Sequence, residues 1–323
     1  MKESNTLYRY TVCGLNIASE LVCPELRPYS GNDSDFDVRI SVGPVSDRLI
    51  EPVYEDWFSQ IKPGAYLLKV DEIAKYLVLD GKEIIIDPAA GCPEELIRLY
   101  LFSQGFGSLL HQRGRLILHA SAVESDRGAI IFLGRSGAGK STLAAGFLKT
   151  GYQMLADDLC AIDCSPDQGP QVCPALAQIR LWNDTLQQLD YDRQTMQRVW
   201  HKEDKYTKYL PELLASHPSK LYRIYWLNPA DVSTVSVTSL TKVEQFEALM
   251  KNVFRVEFIK GLGVRENVFQ QISQVLGSRK VKRVVRPQSY FSLGQVIECL
   301  EEDMAINARN PVSQRNRVSL EFE

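Results

Sequence analysis

The sequence predicts an α/β protein (α+β overall), in which a β-rich N-terminal part precedes a part where strands and helices alternate. Short runs of β-branched and aromatic residues, separated by Gly, Asp, Asn and Pro, fill the first 92 residues. The apolar spacing becomes helical over 93–112, and strand-like and helical runs alternate from 115 onward. We therefore divide the chain into a β-rich domain (1–92), a connecting helix (93–114), an α/β domain (115–305) and a polar tail (306–323).

The β-rich part is predicted to be antiparallel. Asp80-Gly81, between two apolar runs, predicts a tight hairpin turn. The predicted strands are Tyr8–Val12, Phe36–Val42, Ala65–Val70, Tyr76–Leu79 and Glu83–Ile86. In the connecting helix, Pro93 and the two acids after it suit the first turn, and the helix is expected to end near Gly114.

In the α/β part, the apolar period switches repeatedly between strand and helix. The predicted strands are Arg115–Leu118, Ala129–Leu133, Gln153–Leu155, Leu221–Leu227, Val232–Ser239 and Val281–Val285. The predicted helices are Lys140–Lys149, Val243–Lys251, Val264–Leu276 and Leu293–Asp303. The polar stretch His201–Tyr209 is predicted to be a loop, either solvated or able to close over a substrate.

Composition excludes several classes of protein. The 323 residues include 45% hydrophobic and 24% charged residues, which is typical of globular proteins. The net charge of −3 argues against the overall positive electrostatic field with which basic proteins bind nucleic acids. No apolar run is long enough to span a membrane, and the first residues lack a signal-peptide pattern. Seven scattered cysteines fit a reducing compartment. We therefore expect a cytoplasmic protein without membrane or nucleic-acid partners.

Three of the cysteines are close in sequence and raise the alternative of a zinc site. Cys160, Cys164 and Cys173 form no CxxC pair, and no His lies near them at ligand spacing. Small, partly buried thiols are the favoured interpretation.

One motif carries specific chemistry. Gly134-Arg-Ser-Gly-Ala-Gly139-Lys140-Ser141 matches G-x-x-x-x-G-K-[ST] in full, after a predicted strand and before a predicted helix. Glycines let backbone N–H groups surround phosphates, the lysine adds a charge and the serine hydroxyl suits Mg²⁺. The sequence therefore predicts that ATP and Mg²⁺ bind here. The predicted nucleotide-binding residues are Gly134, Ser136, Gly137, Ala138, Gly139, Lys140, Ser141 and Thr142.

An adjacent acidic pair and a histidine could complete a site. Asp157-Asp158 follows a short apolar strand seventeen residues after Lys140, where an aspartate commonly binds magnesium. The second carboxylate is either a proton acceptor or structural. Neighbouring residues in an extended strand point to opposite sides, so both can face one nucleotide only if the chain turns there. His119, after another apolar run, is a weaker candidate.

Taken together, these residues resemble the catalytic domain of HPr kinase/phosphorylase. That family has a His, a P-loop and an Asp pair in this order, and Gly151-Tyr-Gln-Met-Leu-Ala-Asp-Asp resembles its "G-h-x-L-v-A-D-D" segment. The resemblance covers about residues 113–185. It implies a P-loop of the phosphoenolpyruvate-carboxykinase type and phosphate transfer from ATP to a serine hydroxyl. It further implies that Asp157 is the general base, that Asp158 and Ser141 bind magnesium, and that His119 lies beside the phosphates.

One signature of that family is altered. Where HPr kinases have a pattern near L-E-I-R-G-L-G-I, this chain has Leu176-Ala-Gln178-Ile-Arg180-Leu-Trp182, which keeps the Arg as a catalytic candidate but replaces the Glu. The Ile179–Trp182 pattern, the small β-rich part and the length resemble instead the HPr-kinase-like proteins found with ribosomal peptides. Among these are the lasso-peptide kinases, which phosphorylate a precursor-peptide serine. HPr kinases also assemble through this domain type, which implies a homo-oligomer.

Other cations are further candidates for contacts with phosphate or substrate. Lys205, Lys208 and Arg255 could each reach a phosphate, although a solvated loop or a surface salt bridge explains them equally well. One dense basic run either is a solvated face or attracts an acidic peptide. It consists of Arg279, Lys280, Lys282, Arg283 and Arg286.

Three functions are compatible with these features. The leading one is a Mg²⁺- and ATP-dependent serine kinase acting on a peptide or small protein. The second is a nucleotide-binding partner module that transfers no phosphate. The third is a small-molecule or carboxykinase-like enzyme, but the additional metal ligands of a carboxykinase are hard to find in a chain with four His.

Overall fold

A computed structural model describes residues 6–31, 35–165, 167–199, 204–278 and 281–304. The predicted tail 306–323, His201 and the basic residues Arg279 and Lys280 lie outside the described residues. The fold is mixed α/β with two large sheets. None of the described helices combines the length and apolar composition that a membrane span needs.

The N-terminal part folds into one nine-stranded sheet with the order β3-β1-β2-β4-β9-β8-β7-β6-β5. Most neighbours are antiparallel, as predicted, but β4 runs parallel to both β2 and β9. The strands are β1 (Tyr8–Val12), β2 (Leu15–Ser19), β3 (Arg27–Pro28), β4 (Val38–Val42), β5 (Tyr54–Glu55), β6 (Ser59–Lys62), β7 (Ala65–Val70), β8 (Ala74–Leu79) and β9 (Glu83–Pro88). The predicted hairpin turn is confirmed, since Asp80 and Gly81 both have positive φ between β8 and β9.

The predicted connecting helix is present over its whole length, with one irregular turn. It comprises α1 (Glu94–Tyr100), a π-helical turn (Leu101–Gly105) and α2 (Phe106–Gln112). Its apolar face is buried through Leu101, Phe106 and Leu109. The sequence pattern did not predict the π turn, which adds a residue to one turn and thereby changes where the following side chains point.

The remaining chain forms a second nine-stranded sheet and a small three-stranded one. The large sheet has the order β10-β14-β15-β19-β12-β11-β13, with β21 and β20 added beside β19. Its strands are β10 (Leu116–Leu118), β11 (Ser121–Ser125), β12 (Gly128–Leu133), β13 (Gln153–Ala156), β14 (Cys160–Asp163), β15 (Gln171–Val172), β19 (Ser219–Ala230), β20 (Ser236–Ser239) and β21 (Val281–Pro287). The small sheet contains β16 (Gln178–Trp182), β17 (Gln197–Arg198) and β18 (Lys205–Tyr209) in the order β16-β18-β17.

In the described part of the chain, six α-helices accompany these strands. They are α3 (Lys140–Lys149), α4 (Asn183–Gln188), α5 (Lys242–Lys251), α6 (Val256–Gly261), α7 (Arg265–Ser278) and α8 (Leu293–Asp303). The strands β12 and β21 both run parallel to β19, so their carboxyl ends lie at the same edge of the sheet. That edge is where ligands bind in open α/β sheets.

One sequence prediction is wrong in this part. His201–Tyr209 was predicted to be a loop, but its described second half, Lys205–Tyr209, is the central strand of the small sheet. Strand pairing on both sides satisfies its backbone groups, and Tyr206 is buried on one face. Tertiary pairing therefore outweighs the polar composition.

Two hydrophobic clusters form the core. The first contains Ile40 of the N-terminal sheet together with Leu116 and Ile272 from beyond the connecting helix. The second lies around α3 and includes Phe132, Phe147 and Ile297. The domain boundaries at 92 and 114 stay a prediction, but the first cluster shows that residues on both sides of the connecting helix share a core.

His111 offers a test of this shared core. The ring is buried, Nε2 lies 3.0 Å from the Phe254 carbonyl oxygen, and Nδ1 has no hydrogen-bond partner among the described residues. The carbonyl can only accept, so Nε2 donates and the neutral ring leaves Nδ1 unprotonated. Burial lowers the pKa of His111 to about 4.

We expect the free energy of unfolding to fall as the pH is lowered from about 6.5 toward 4, because the unfolded chain then binds a proton that the folded chain does not. The His111 ring alone changes the free energy of unfolding by up to about 1.4 kcal/mol per pH unit in this range. Denaturant titrations at several pH values should therefore show a shallower pH dependence for His111→Gln than for the wild type. Parallel dependences would contradict this account of His111.

Candidate active site

The segment Gly134–Ser141, called here the P-loop, joins β12 to α3 at the edge of the sheet formed by the carboxyl ends of β12, β19 and β21. Gly134, Gly137 and Gly139 have φ values of 153°, 77° and 98°, which favour glycine. A Cβ at Gly134 would lie 2.8 Å from the Ala138 Cβ and 3.0 Å from the Leu227 oxygen, so a larger residue cannot fit without a shift. Local chain geometry therefore explains why these positions are glycine.

Two side chains distant in sequence hold the loop. Asn252 is buried, and its Oδ1 accepts a hydrogen bond from Gly134 N at 3.0 Å. Its Nδ2 donates to the Ala248 carbonyl oxygen at 2.7 Å, and the backbone carbonyl of Asn252 accepts a hydrogen bond from His119 N at 2.7 Å. Arg286 donates from Nε and Nη2 to Ala138 O at 3.1 and 2.9 Å. The sequence pattern gave no indication of Asn252.

We expect Asn252→Ala to destabilise the fold and weaken nucleotide binding together. The substitution leaves the buried Gly134 N–H without its acceptor, which costs about 1–3 kcal/mol. Denaturant unfolding with and without Mg·ATP measures both effects. Asn267→Ala, at an exposed position of α7, is the matched control. Equal stability and equal nucleotide stabilisation in the two variants would show that Asn252 does not hold the loop.

Lys140 is the first residue of α3 and is almost fully buried. Its Nζ donates to the Gly134 carbonyl oxygen at 2.8 Å, and the residue lines the cavity in front of the loop. Burial lowers the pKa of Lys140, while the charges of Asp157 and Asp158 oppose that shift. The ammonium group therefore lies where the motif predicts a phosphate contact.

Asp157 directly follows β13 and accepts three hydrogen bonds. Its Oδ1 lies 2.6 Å from Ser121 Oγ and 2.8 Å from Ser141 Oγ, and its Oδ2 accepts from Arg180 N at 2.9 Å. The structure thus brings the predicted magnesium ligand Ser141 next to Asp157 rather than next to Asp158.

The chain turns at Asp158, which is what allows two adjacent aspartates to face the same cavity. Its φ of 73° is left-handed, and both aspartates line the same cavity. Its Oδ1 lies 3.0 Å from His119 Nδ1 and its Oδ2 lies 3.2 Å from Arg180 Nη1. Burial would raise the pKa of Asp158, but the His119 hydrogen bond and the Arg180 charge hold it well below its usual range. The carboxyl group is therefore ionised at neutral pH.

A cavity of about 380 Å³ lies in front of these groups. Its lining includes six of the eight predicted nucleotide-binding residues, namely Ser136, Gly137, Gly139, Lys140, Ser141 and Thr142. The other two, Gly134 and Ala138, are the loop residues that hydrogen-bond to Asn252 and Arg286. Three aromatic residues that the sequence analysis missed, Trp182, Tyr290 and Phe291, also line it. Tyr290 and Phe291 follow β21, whose carboxyl end lies at the same edge as the P-loop.

A second cavity, of about 420 Å³, adjoins the first. The two share His119, Asp158 and Arg180, whereas Asp157 lines only the first. The other residues of the second cavity come from the connecting helix and from two further segments. They are Leu99, Tyr100, Ser103, Gln104, Val199, Phe254 and Arg255.

Comparison with known proteins adds little to this geometry. No protein-family model matches the chain, and no curated protein sequence matches it. Among solved structures, the chain is similar to the HPr(Ser) kinase/phosphatase from Coxiella burnetii, with 12% sequence identity and a TM-score of 0.30. That match covers 59% of this chain and 91% of the other. We therefore base the proposed function on the site itself.

The three other basic side chains predicted to contact phosphate or substrate lie at different places in the structure. Lys205 lines the first cavity and Arg255 the second, with Arg255 Nη1 3.5 Å from Glu257 Oε1. Lys208 lines neither of these two cavities, and its ammonium group lies 4.9 Å from the centre of the Tyr191 ring.

The described part of the basic run is mostly paired. Lys282 pairs with Asp303, and Arg283 pairs with Glu244 at 3.0 Å. Only Arg286 of this part reaches the P-loop. The run is therefore not one continuous charged surface in the described structure.

The cysteine cluster shows no metal-binding arrangement in the described structure. Cys160 and Cys173 are buried, and burial raises the pKa of both thiols, as it does for Cys164. Within the described ranges, no group of three or more His, Cys, Asp or Glu side chains could hold a metal ion. The thiols therefore pack as protonated apolar groups.

Proposed function

We propose that this chain is a Mg²⁺- and ATP-dependent phosphotransferase that moves the γ-phosphate to a hydroxyl group. The observation that carries the proposal is the placement of the ionised Asp158 between the cavity of the P-loop and a second cavity. A phosphoryl transfer requires a bound nucleotide on one side of the reacting phosphorus and an oriented hydroxyl on the other. The two adjoining cavities offer these two sides.

The donor groups at the start of α3 suit a magnesium ion. Ser141 Oγ and Asp157 Oδ1 lie 2.8 Å apart at the start of α3. Mg²⁺ prefers such hard oxygen ligands and in nucleotide sites takes only one or two from the protein, the rest being phosphates and water. Ser141 and Asp157 would hold the ion, which when bound would neutralise charge on the phosphates.

This arrangement leads us to divide the two aspartates differently from the family resemblance. Asp157 is occupied by two hydroxyls and a backbone N–H on the nucleotide side. Asp158 faces both cavities. We therefore assign the magnesium contact to Asp157 and the contact with the acceptor hydroxyl to Asp158.

The chain's own groups account for the remaining chemistry. Lys140 and the P-loop amides neutralise charge on the transferred phosphoryl group. The acceptor oxygen forms a bond to the γ-phosphorus while the bond to the leaving ADP oxygen breaks, and Asp158 takes the hydroxyl proton. His119 and Arg180 hold the Asp158 carboxylate in place through contacts of 3.0 and 3.2 Å.

The acceptor is proposed to be a serine of a peptide or small protein. A narrower proposal, based on the sequence pattern Ile179–Trp182, is that the acceptor is a ribosomally made precursor peptide of the lasso type. A cytoplasmic location, the absence of nucleic-acid and membrane partners, and assembly into a homo-oligomer also stay proposals.

Labelled ATP tests the function directly. The full-length chain is incubated with Mg²⁺, ATP radiolabelled on the γ-phosphate, and a pool of serine-containing peptides. We expect label on peptide, and none in samples without Mg²⁺. Tight ATP binding without labelled peptide would instead favour the nucleotide-binding module, and label on added metabolites alone would favour a small-molecule kinase.

A further inference from the structure

The second cavity has two kinds of wall. Four lining residues with largely apolar side chains, called here the apolar wall, are Leu99, Tyr100, Val199 and Phe254. The other wall contains the ionic residues shared with the nucleotide cavity, together with Arg255. A cavity with apolar surface and a few convergent polar groups is the usual form of a small binding site.

The second cavity offers an acceptor an approach that does not pass the P-loop. In phosphoryl transfer the attacking and leaving oxygens are roughly in line, so the acceptor approaches from the side opposite ADP. Asp158 and Arg180 separate the two cavities, whereas Lys140 and Asp157 line only the one with the P-loop. The two cavities therefore meet at these ionic residues, and an acceptor in the second cavity would reach Asp158 without displacing a nucleotide at the P-loop.

An unpaired donor among these ionic residues points to a ligand. Arg180 Nη1 is paired with Asp158, but its Nε is buried and has no hydrogen-bond partner among the described residues. Buried donors without partners are rare, because each costs free energy. An acceptor oxygen or the transferred phosphoryl group would satisfy it.

The connecting helix builds the far side of the cavity. Ser103 and Gln104 lie in its π-helical turn, and such turns occur frequently at functional sites. Phe254 is fixed against the same helix, since His111 Nε2 donates to its carbonyl and Gly107 leaves room for its ring. A Cβ at Gly107 would lie 2.5 Å from the Phe254 ring. The cavity is thus formed by packed elements and is largely preformed.

We propose that this second cavity binds the acceptor, as a peptide segment that presents its hydroxyl to Asp158 with an apolar residue beside it. The apolar wall takes that neighbouring side chain. Arg255 is half exposed, and with its Nη1 3.5 Å from Glu257 Oε1 its guanidinium group still favours an acidic residue further along the peptide. The proposal rests on the phosphotransferase function above and adds which surface selects the substrate.

Filling the cavity tests the proposal. Gln104→Trp places a large ring in the second cavity, away from the nucleotide cavity. Gln270→Trp, on an exposed position of α7, is the matched control. With Mg·ATP labelled on the γ-phosphate and a serine-peptide library varied at each flanking position, we expect peptide labelling by Gln104→Trp to fall about 10²-fold, since misplacement by about 1 Å already has effects of that size. The Kd for Mg·ATP should match that of the control.

A second variant tests the charge preference. Arg255→Glu should shift the favoured flanking residue in the same library from acidic to basic, with its Kd for Mg·ATP unchanged. If Gln104→Trp labels peptides as fast as the control, or Arg255→Glu keeps the wild-type preference, the acceptor does not bind in this cavity. Failure of the wild type to label any peptide would instead overturn the phosphotransferase function itself, so the two failures are distinguishable.

Discussion

Asp158→Asn is expected to bind Mg·ATP as the wild type does but to transfer the γ-phosphate about 10²–10⁴-fold more slowly. The amide keeps nearly the same shape and can still accept a hydrogen bond from His119 or Arg180. It cannot take the proton of the acceptor hydroxyl. Initial rates of peptide labelling and calorimetric titration with Mg·ATP measure the two quantities separately.

The exposed Asp231→Asn variant is the matched control for this measurement. It removes one carboxylate without touching either cavity. Near-normal transfer by Asp158→Asn would show that Asp158 does not act on the acceptor. A parallel loss of Mg·ATP binding would show that it belongs to the nucleotide side.

Asp157→Asn is expected to have the opposite effect, on nucleotide binding. Mg²⁺ is expected to increase ATP affinity, and removing the charge beside Ser141 should reduce that increase. The reduction should be about 10–100-fold, the range found when metal-supporting residues are lost. ATP affinity in the absence of Mg²⁺ should change little, because Lys140 and the P-loop amides remain. Titrations with ATP, with and without Mg²⁺, measure this difference.

The two variants together decide between two assignments. The family resemblance implies that Asp157 is the base and Asp158 the magnesium ligand, whereas the contacts in the structure favour the reverse. If Asp157→Asn keeps its Mg²⁺ dependence and loses only transfer, the assignment based on the structure is wrong.

The parts of the site that sequence predicted are local ones. Gly134 to Thr142 are continuous in sequence, and the turn from strand to helix is formed by neighbouring residues. The hairpin at Asp80-Gly81 is predictable for the same reason, since the positive φ values are needed at two adjacent positions. Such features depend on few distant contacts, so their residue types alone indicate the structure.

The parts that sequence missed depend on tertiary contacts. Asn252 supports the P-loop across 118 residues, and no local pattern distinguishes it from any other asparagine at the end of a helix. Tyr290 and Phe291 reach the first cavity because β21 lies parallel to β19, a pairing that strand patterns do not specify. Lys205 lies at the first cavity only because a polar segment became the central strand of a small sheet.

The division of the two aspartates could not be predicted from sequence either. Adjacent residues have the same neighbours in sequence, and the sequence pattern shows neither the left-handed φ of Asp158 nor which side chain meets Ser141 and which meets His119. The acidic pair was predictable as a pair, but the contacts of each carboxylate, on which the proposed roles rest, depend on the three-dimensional structure.

The products of the reaction test the central claim most directly. The full-length chain is incubated with Mg·ATP and a serine peptide that it labels, and the products are followed by phosphorus NMR. The products show which phosphorus–oxygen bond of ATP is broken. We predict that ADP and a phosphate monoester of the peptide appear at equal rates, and that Asp158→Asn slows both. Formation of AMP, or of ADP with inorganic phosphate and no phosphopeptide, would contradict phosphoryl transfer to a hydroxyl.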